Sequence, residues 1–153
     1  MKSSVPHKFT LGIEEEYQII DAESRDLVSH VYKIIREGKP ILNESLKHEM
    51  HASAIELGTG ICDNVSHVRD EIRTLRKKLI EIAHDQGLRV AGGGTHPFSD
   101  WKLNEIVSNE RYTKIVSDLG DIARENLVFG LHVHVSIPNR EEGLRIQNVV
   151  RYF

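Results

Sequence analysis

Val65, Val68, Ile72, Leu75, Leu79 and Ile82 recur at spacings alternating between three and four, which places them on one face of a helix. Asp63 or Asn64 can cap its start, and Gly87 suits its C-terminal end. Arg69, Glu71, Arg73, Arg76, Lys77 and Lys78 fill the remaining positions and read as a solvated face. Elsewhere the apolar clusters are shorter. They predict a strand over 9–20, a turn over 21–26 and a short helix over 27–36 ended by Gly38 and Pro40. A strand over 47–59 is closed by Gly58 and Gly60, and another over 88–91 is broken by Gly92, Gly93 and Gly94. A second helix falls at 109–118, followed by an alternating strand over 127–137 that Pro138 and Asn139 end. From Glu141 a further amphipathic helix begins, carrying Leu144, Ile146, Val149, Val150 and Phe153. The sequence stops within that pattern, so the expectation is one N-terminal portion, residues 1–153, of a longer domain. The order of elements predicts an α+β fold, with helices on one face of a mostly antiparallel sheet and the other face free for a site.

The formal charge is −3 with both signs mixed throughout, and no basic stripe marks a nucleic-acid surface. Cys62 is the single cysteine, which excludes an internal disulfide and fits a reducing cytoplasm. The first residues carry no apolar signal segment, and no apolar run approaches the ~18 residues of a membrane span. The expectation is a cytoplasmic protein with neither nucleic acid nor membrane as a partner.

Four segments carry candidate chemistry. In a strand, Glu14 and Glu16 project together and Glu15 opposes them. Their repulsion calls either for a hard divalent cation or for a solvated edge. Glu56 interrupts the apolar run of Ala54, Ile55 and Leu57, where a buried carboxylate needs a partner or a metal. Strict alternation puts Glu49 and Glu56 on opposite faces, so one site can use both only through a bulge or bend. His132, His134 and Ser136 share a strand face, with Leu131, Val133 and Val135 expected to face the core. Paired imidazoles can bind metal, contact phosphate or transfer protons. The run Gly92, Gly93 and Gly94, followed by Thr95, His96, Pro97 and Phe98, is either a close backbone approach to a ligand or a tight turn. It lacks the ending of a P-loop and is not a dinucleotide fingerprint.

In this order the segments Leu11 to Tyr17, His48 to Gly60, Gly94 to Phe98 with Trp101, and Gly130 to Val135 resemble the carboxylate–amine ligases of the glutamate–cysteine ligase type 2 family. The resemblance spans nearly the whole chain. It implies a glutamine-synthetase-like domain whose curved antiparallel sheet forms a funnel for several Mg²⁺ ions, with Mn²⁺ possible. It further implies Glu14, Glu16, Glu49, Glu56 and His132 as metal ligands. His132 would also be the catalytic group beside substrate, and Thr95, His96 and His134 would line the funnel against substrate or ATP. The implied reaction joins L-glutamate to an amine such as L-cysteine: ATP phosphorylates the γ-carboxylate, and the amine then displaces phosphate. That is a cytoplasmic step of glutathione biosynthesis. Family members are more than twice this length, so this chain by itself is expected to have little or no activity. A sheet edge left open would favour a homodimer. Two other readings are a zinc hydrolase built on His132 and His134, and a non-catalytic binding or assembly domain. Glutamate oxygens suit Mg²⁺ or Mn²⁺ better than Zn²⁺.

Overall fold

The structure is a computed structural model and describes residues 8–153. Its centre is β1 (Leu11–Asp21), long enough to hold two partners end to end on one edge. β5 (Leu131–Val135) pairs with Leu11 to Glu15, and β4 (Leu88–Ala91) pairs with Gln18 to Asp21. The other edge of β1 takes β3 (Ala54–Gly58), which in turn takes β2 (Leu46–His48). Every pairing is antiparallel, giving an α+β fold built on one open sheet.

Two helices, α1 (Val31–Leu42) and α2 (Val65–His84), cover one face. Ile19, Leu46, Ile55 and Leu57 of the sheet pack there against Val31, Ile34, Leu75 and Leu79. Each fully buried side chain among them contributes roughly 1.5–3 kcal/mol through the water it leaves. Asn64 is the residue that caps α2, its side chain accepting from the His67 amide at 3.0 Å. Three shorter helices follow: α3 (Glu110–Leu119), α4 (Asp121–Glu125) and α5 (Arg140–Val150). No helix among the described residues is long and apolar enough to cross a membrane.

The structure departs from the sequence reading at four places. The first helix starts at Val31 and runs through Gly38 and Pro40 to Leu42. Gly38 is needed for close approach, because a Cβ there would meet Leu46 Cδ2 at 2.5 Å and Ile82 Cδ1 at 3.3 Å. Pro40 lies in the last turn, where its missing N–H costs a single helical bond. The segment 47–59 is two strands of a hairpin, not one strand, and the chain reverses between His48 and Ala54. Long-range backbone bonds hold that reversal: Ala52 N donates to Glu105 O at 2.8 Å, Val107 N to Met50 O at 2.8 Å, and Ile19 N to Ser53 O at 2.8 Å. The polar face of α2 is not all solvated, since Glu71 and Arg76 bind the sheet and its loops. Finally, Leu131, Val133 and Val135 project on the helix side of the sheet but are 62%, 61% and 52% exposed. α2 lies over β1, β3 and β4 and leaves that side of β5 bare among the described residues.

The two ends of α2 differ sharply in burial, with Leu79 at 0% and Val65 at 64% exposure. Leu79→Ala is expected to lower the unfolding free energy by about 3 kcal/mol, and Val65→Ala by less than about 0.5 kcal/mol. Urea denaturation of the two variants checks this. Equal losses would contradict the packing described.

Candidate metal centre

The register of the sheet builds the site. Glu16 on β1 stands directly opposite Glu56 on β3, and Glu56 directly opposite Lys47 on β2. Because the chain turns back after β2, Glu49 falls beside them. Ligand oxygens of Glu16, Glu49 and Glu56 all lie within 4.8 Å of one another. The parity conflict between Glu49 and Glu56 is thus removed by a hairpin, with no bulge required.

Three carboxylates at this distance repel, and the surroundings offset only part of that charge. Lys47 Nζ reaches Glu56 Oε1 at 2.8 Å and Glu14 Oε1 at 3.3 Å. The Gly130 amide donates to Glu16 Oε2 at 2.7 Å. Among the described residues Glu49 has no cation paired with it. Its burial, a hydrogen bond with Glu56 and the charges of Glu16 and Glu56 push its pKa up to about 7. The donor set is all oxygen with negative charge left over, which fits a hard divalent cation such as Mg²⁺ or Mn²⁺.

The other predicted residues are distributed around this triad. Glu14 shares its face but lies one step along β1, opposite His132. His134 donates to Glu14 Oε2 at 3.0 Å, and His132 Nδ1 lies 3.8 Å from the same oxygen. The His134 hydrogen bond is the main reason the Glu14 carboxyl titrates below the usual range. Glu15 takes the opposite face, where the Arg76 guanidinium and the Tyr17 hydroxyl bind it. Thr95 and His96 hold a loop: Thr95 Oγ1 donates to Leu127 O at 3.1 Å, and His96 Nε2 lies 3.0 Å from Arg25 O. His96 Nδ1 also accepts from the Ser99 amide at 3.0 Å.

Two cavities flank Glu16. One, of about 350 Å³, is lined by Glu16, Glu49, His51, Arg111, Tyr112 and Phe129. The other, of about 440 Å³, sits in the break between β4 and β5, where Gly92, Gly93, Gly94 and Gly130 meet Tyr17 and Arg76. The glycine run therefore lines a cavity, whereas Thr95 and His96 line neither of these two. Sequence reasoning missed Arg111, Tyr112 and Arg76. Arg111 had one signal, a cation in the first turn of a helix, where the dipole disfavours it. Arg76 had another: Glu15 must point toward the helices, where a buried carboxylate needs a cation.

The fold is shared with the glutamate–cysteine ligase of Francisella tularensis, solved in complex with AMP. The TM-score is 0.67 at 14% identity, over 86% of this chain and 27% of that one. Both are built on the glutamine-synthetase-like arrangement of an open antiparallel sheet with helices. Residues 10–153 match glutamate–cysteine ligase family 2 (GCS2), and the chain belongs to that family. Among curated relatives named "Putative glutamate--cysteine ligase 2", that of Solibacter usitatus is 47% identical over 100% of this chain. Those of Herpetosiphon aurantiacus and Sorangium cellulosum are 48% and 50% identical over 97% and 95%. The chain spans about 40% of the length of these relatives.

The raised pKa of Glu49 has a consequence for stability. The folded chain keeps a proton on Glu49 up to about pH 7, above the ordinary value of 4.5. This contribution is fully present below pH 4.5 and is lost as pH rises through about 7. In chelator, the denaturation midpoint of the wild type is expected to drop across that window relative to Glu49→Gln. Parallel pH profiles for the two proteins would rule the effect out.

Proposed function

We propose that this chain carries the metal site and part of the substrate site of an ATP-dependent carboxylate–amine ligase. The reaction joins the γ-carboxylate of L-glutamate to an amine, L-cysteine by default, and converts ATP to ADP and phosphate. The convergence of Glu16, Glu49 and Glu56 beside the cavity of Arg111 and Tyr112 carries this reading, and membership of the GCS2 family supports it.

Glu16, Glu49 and Glu56 hold Mg²⁺ or Mn²⁺, and Glu14 with His132 extends the ligand set along the same face. The bound ion supplies neutralisation of phosphate oxygens during transfer of the γ-phosphoryl group. The chain's own residues do the positioning. Arg111 presents a planar fork that pairs with a substrate carboxylate, and Tyr112 adds a hydroxyl beside it. Lys47 pairs with Glu56 and Glu14 and, after His134, helps hold the Glu14 carboxyl below its usual range. His132 turns Nδ1 toward Glu14, which leaves Nε2 as the nitrogen it offers to the ion. His134 orients Glu14 and lines the same face. The glycine run at 92–94, with Thr95 and His96 behind it, meets ATP, its backbone close enough to serve phosphate oxygens. On this reading the protein acts in the cytoplasm, in glutathione biosynthesis.

Titration of the chain with Mn²⁺, followed by calorimetry, tests the metal site. Glu16→Gln and Glu49→Gln are each expected to weaken binding roughly 10- to 100-fold or more, while the mainly structural Leu79→Ala leaves the affinity of the folded fraction unchanged. Mn²⁺ affinity indifferent to both glutamates would sink the proposal.

A further inference from the structure

A second cluster lies at the junction of β3 and α2, outside the machinery assigned to ligation. Cys62 follows β3 and is held in place by two backbone bonds to Leu11, each 2.8 Å. His67 and Glu71 lie one turn apart on α2, so they present their side chains on one helix face. Cys62 Sγ is 3.1 Å from Glu71 Oε2, and His67 Nε2 is 3.8 Å from the same oxygen. One donor atom from each of the three lies within 4.8 Å of the others.

We propose that Cys62, His67 and Glu71 form a Zn²⁺ site, with water as the fourth ligand. The spacing favours it. Zinc bonds of about 2.3 Å to sulfur and about 2.0 Å to nitrogen or oxygen, at tetrahedral angles, put neighbouring donors roughly 3.3–3.7 Å apart. The observed 3.1 and 3.8 Å bracket that range, so small side-chain movements close the shell. The chemistry also separates this site from the carboxylate triad. Sulfur, nitrogen and oxygen together select a borderline ion such as Zn²⁺, whereas three carboxylates select Mg²⁺ or Mn²⁺.

The ligands are supported from behind. The Gly60 amide donates to Glu71 Oε1 at 2.7 Å, which fixes the carboxylate and leaves Oε2 turned to the thiol. Asn64 caps the turn that carries His67. The Cys62 side is closed to solvent, while the side chains of His67 and Glu71 are 49% and 27% exposed, which gives the ion an entry and its water a place. Binding exchanges the thiol proton for the metal. The His67 ring binds through Nε2 with its own proton on Nδ1, and so gives up the 3.3 Å contact from the Asp63 amide. Once filled, the site ties the end of β3 and the start of β1 to the first turns of α2.

Co²⁺ replaces Zn²⁺ with a visible signature, a thiolate-to-cobalt charge-transfer band. The chelator-treated chain is expected to develop that band at one Co²⁺ per chain and to lose it when Zn²⁺ is added. Cys62→Ser abolishes the band. His67→Ala, a change at an exposed side chain, weakens Zn²⁺ binding roughly tenfold or more and removes the rise in Tm that Zn²⁺ gives the wild type. Glu49→Gln and His132→Ala leave the band intact, which separates this site from the ligase centre. No charge-transfer band in the wild type, or Zn²⁺ affinity unchanged in both Cys62→Ser and His67→Ala, would overturn the proposal whatever the fate of the ligase reading.

Discussion

The pairing of β1 with β3 sets Glu16 against Glu56, and much of the molecule answers to that one juxtaposition. Like charges opposite each other weaken a sheet. Here the strands stay paired because Ile19, Ile55 and Leu57 seal their other face under α1 and α2. Apolar burial on the helix side therefore offsets electrostatic cost on the open side. Lys47 and the Gly130 amide reduce that cost, and Glu49 meets it by retaining a proton. The arrangement keeps charge in reserve for a cation.

β1 carries acids on both faces and deals with them differently. Beneath the sheet, Arg76 and Tyr17 bind Glu15 and, against its burial, hold its carboxyl below the usual range, while burial first and then Glu15 push the Tyr17 phenol up. That cluster is closed, since each charge has its partner within the fold. Above the sheet, Glu14 and Glu16 face imidazoles, an amide and open space. One strand thus serves as both a structural strut and a ligand rack, and the parity of its residues decides which role each glutamate plays.

That parity was legible from sequence, as was the helical stripe of Ile72, Leu75, Leu79 and Ile82, because both follow from local periodicity. The family was legible from four motifs in order, although each motif is modest alone. The β2–β3 reversal was not. Ala52 and Ser53 carry no strong turn signal, and the bonds that bend the chain there come from Glu105, Val107 and Ile19, far away in sequence. The same distance hid Arg111 and Tyr112, which reach Glu16 and Glu49 only after α3 has docked. The apolar residues of β5 misled for a related reason: alternation reveals a face but not whether anything covers it.

The break between β4 and β5 makes Glu16 a shared wall between two chambers, one holding Glu49 and Arg111 and the other lined by the glycine run. Two occupants that touch one side chain are thermodynamically linked wherever one of them changes its orientation or charge. Whatever one does to the orientation or charge of Glu16, the other feels by an equal factor in its own affinity. Strand order, by leaving one gap in one edge of β1, is what puts the two chambers on one shared side chain.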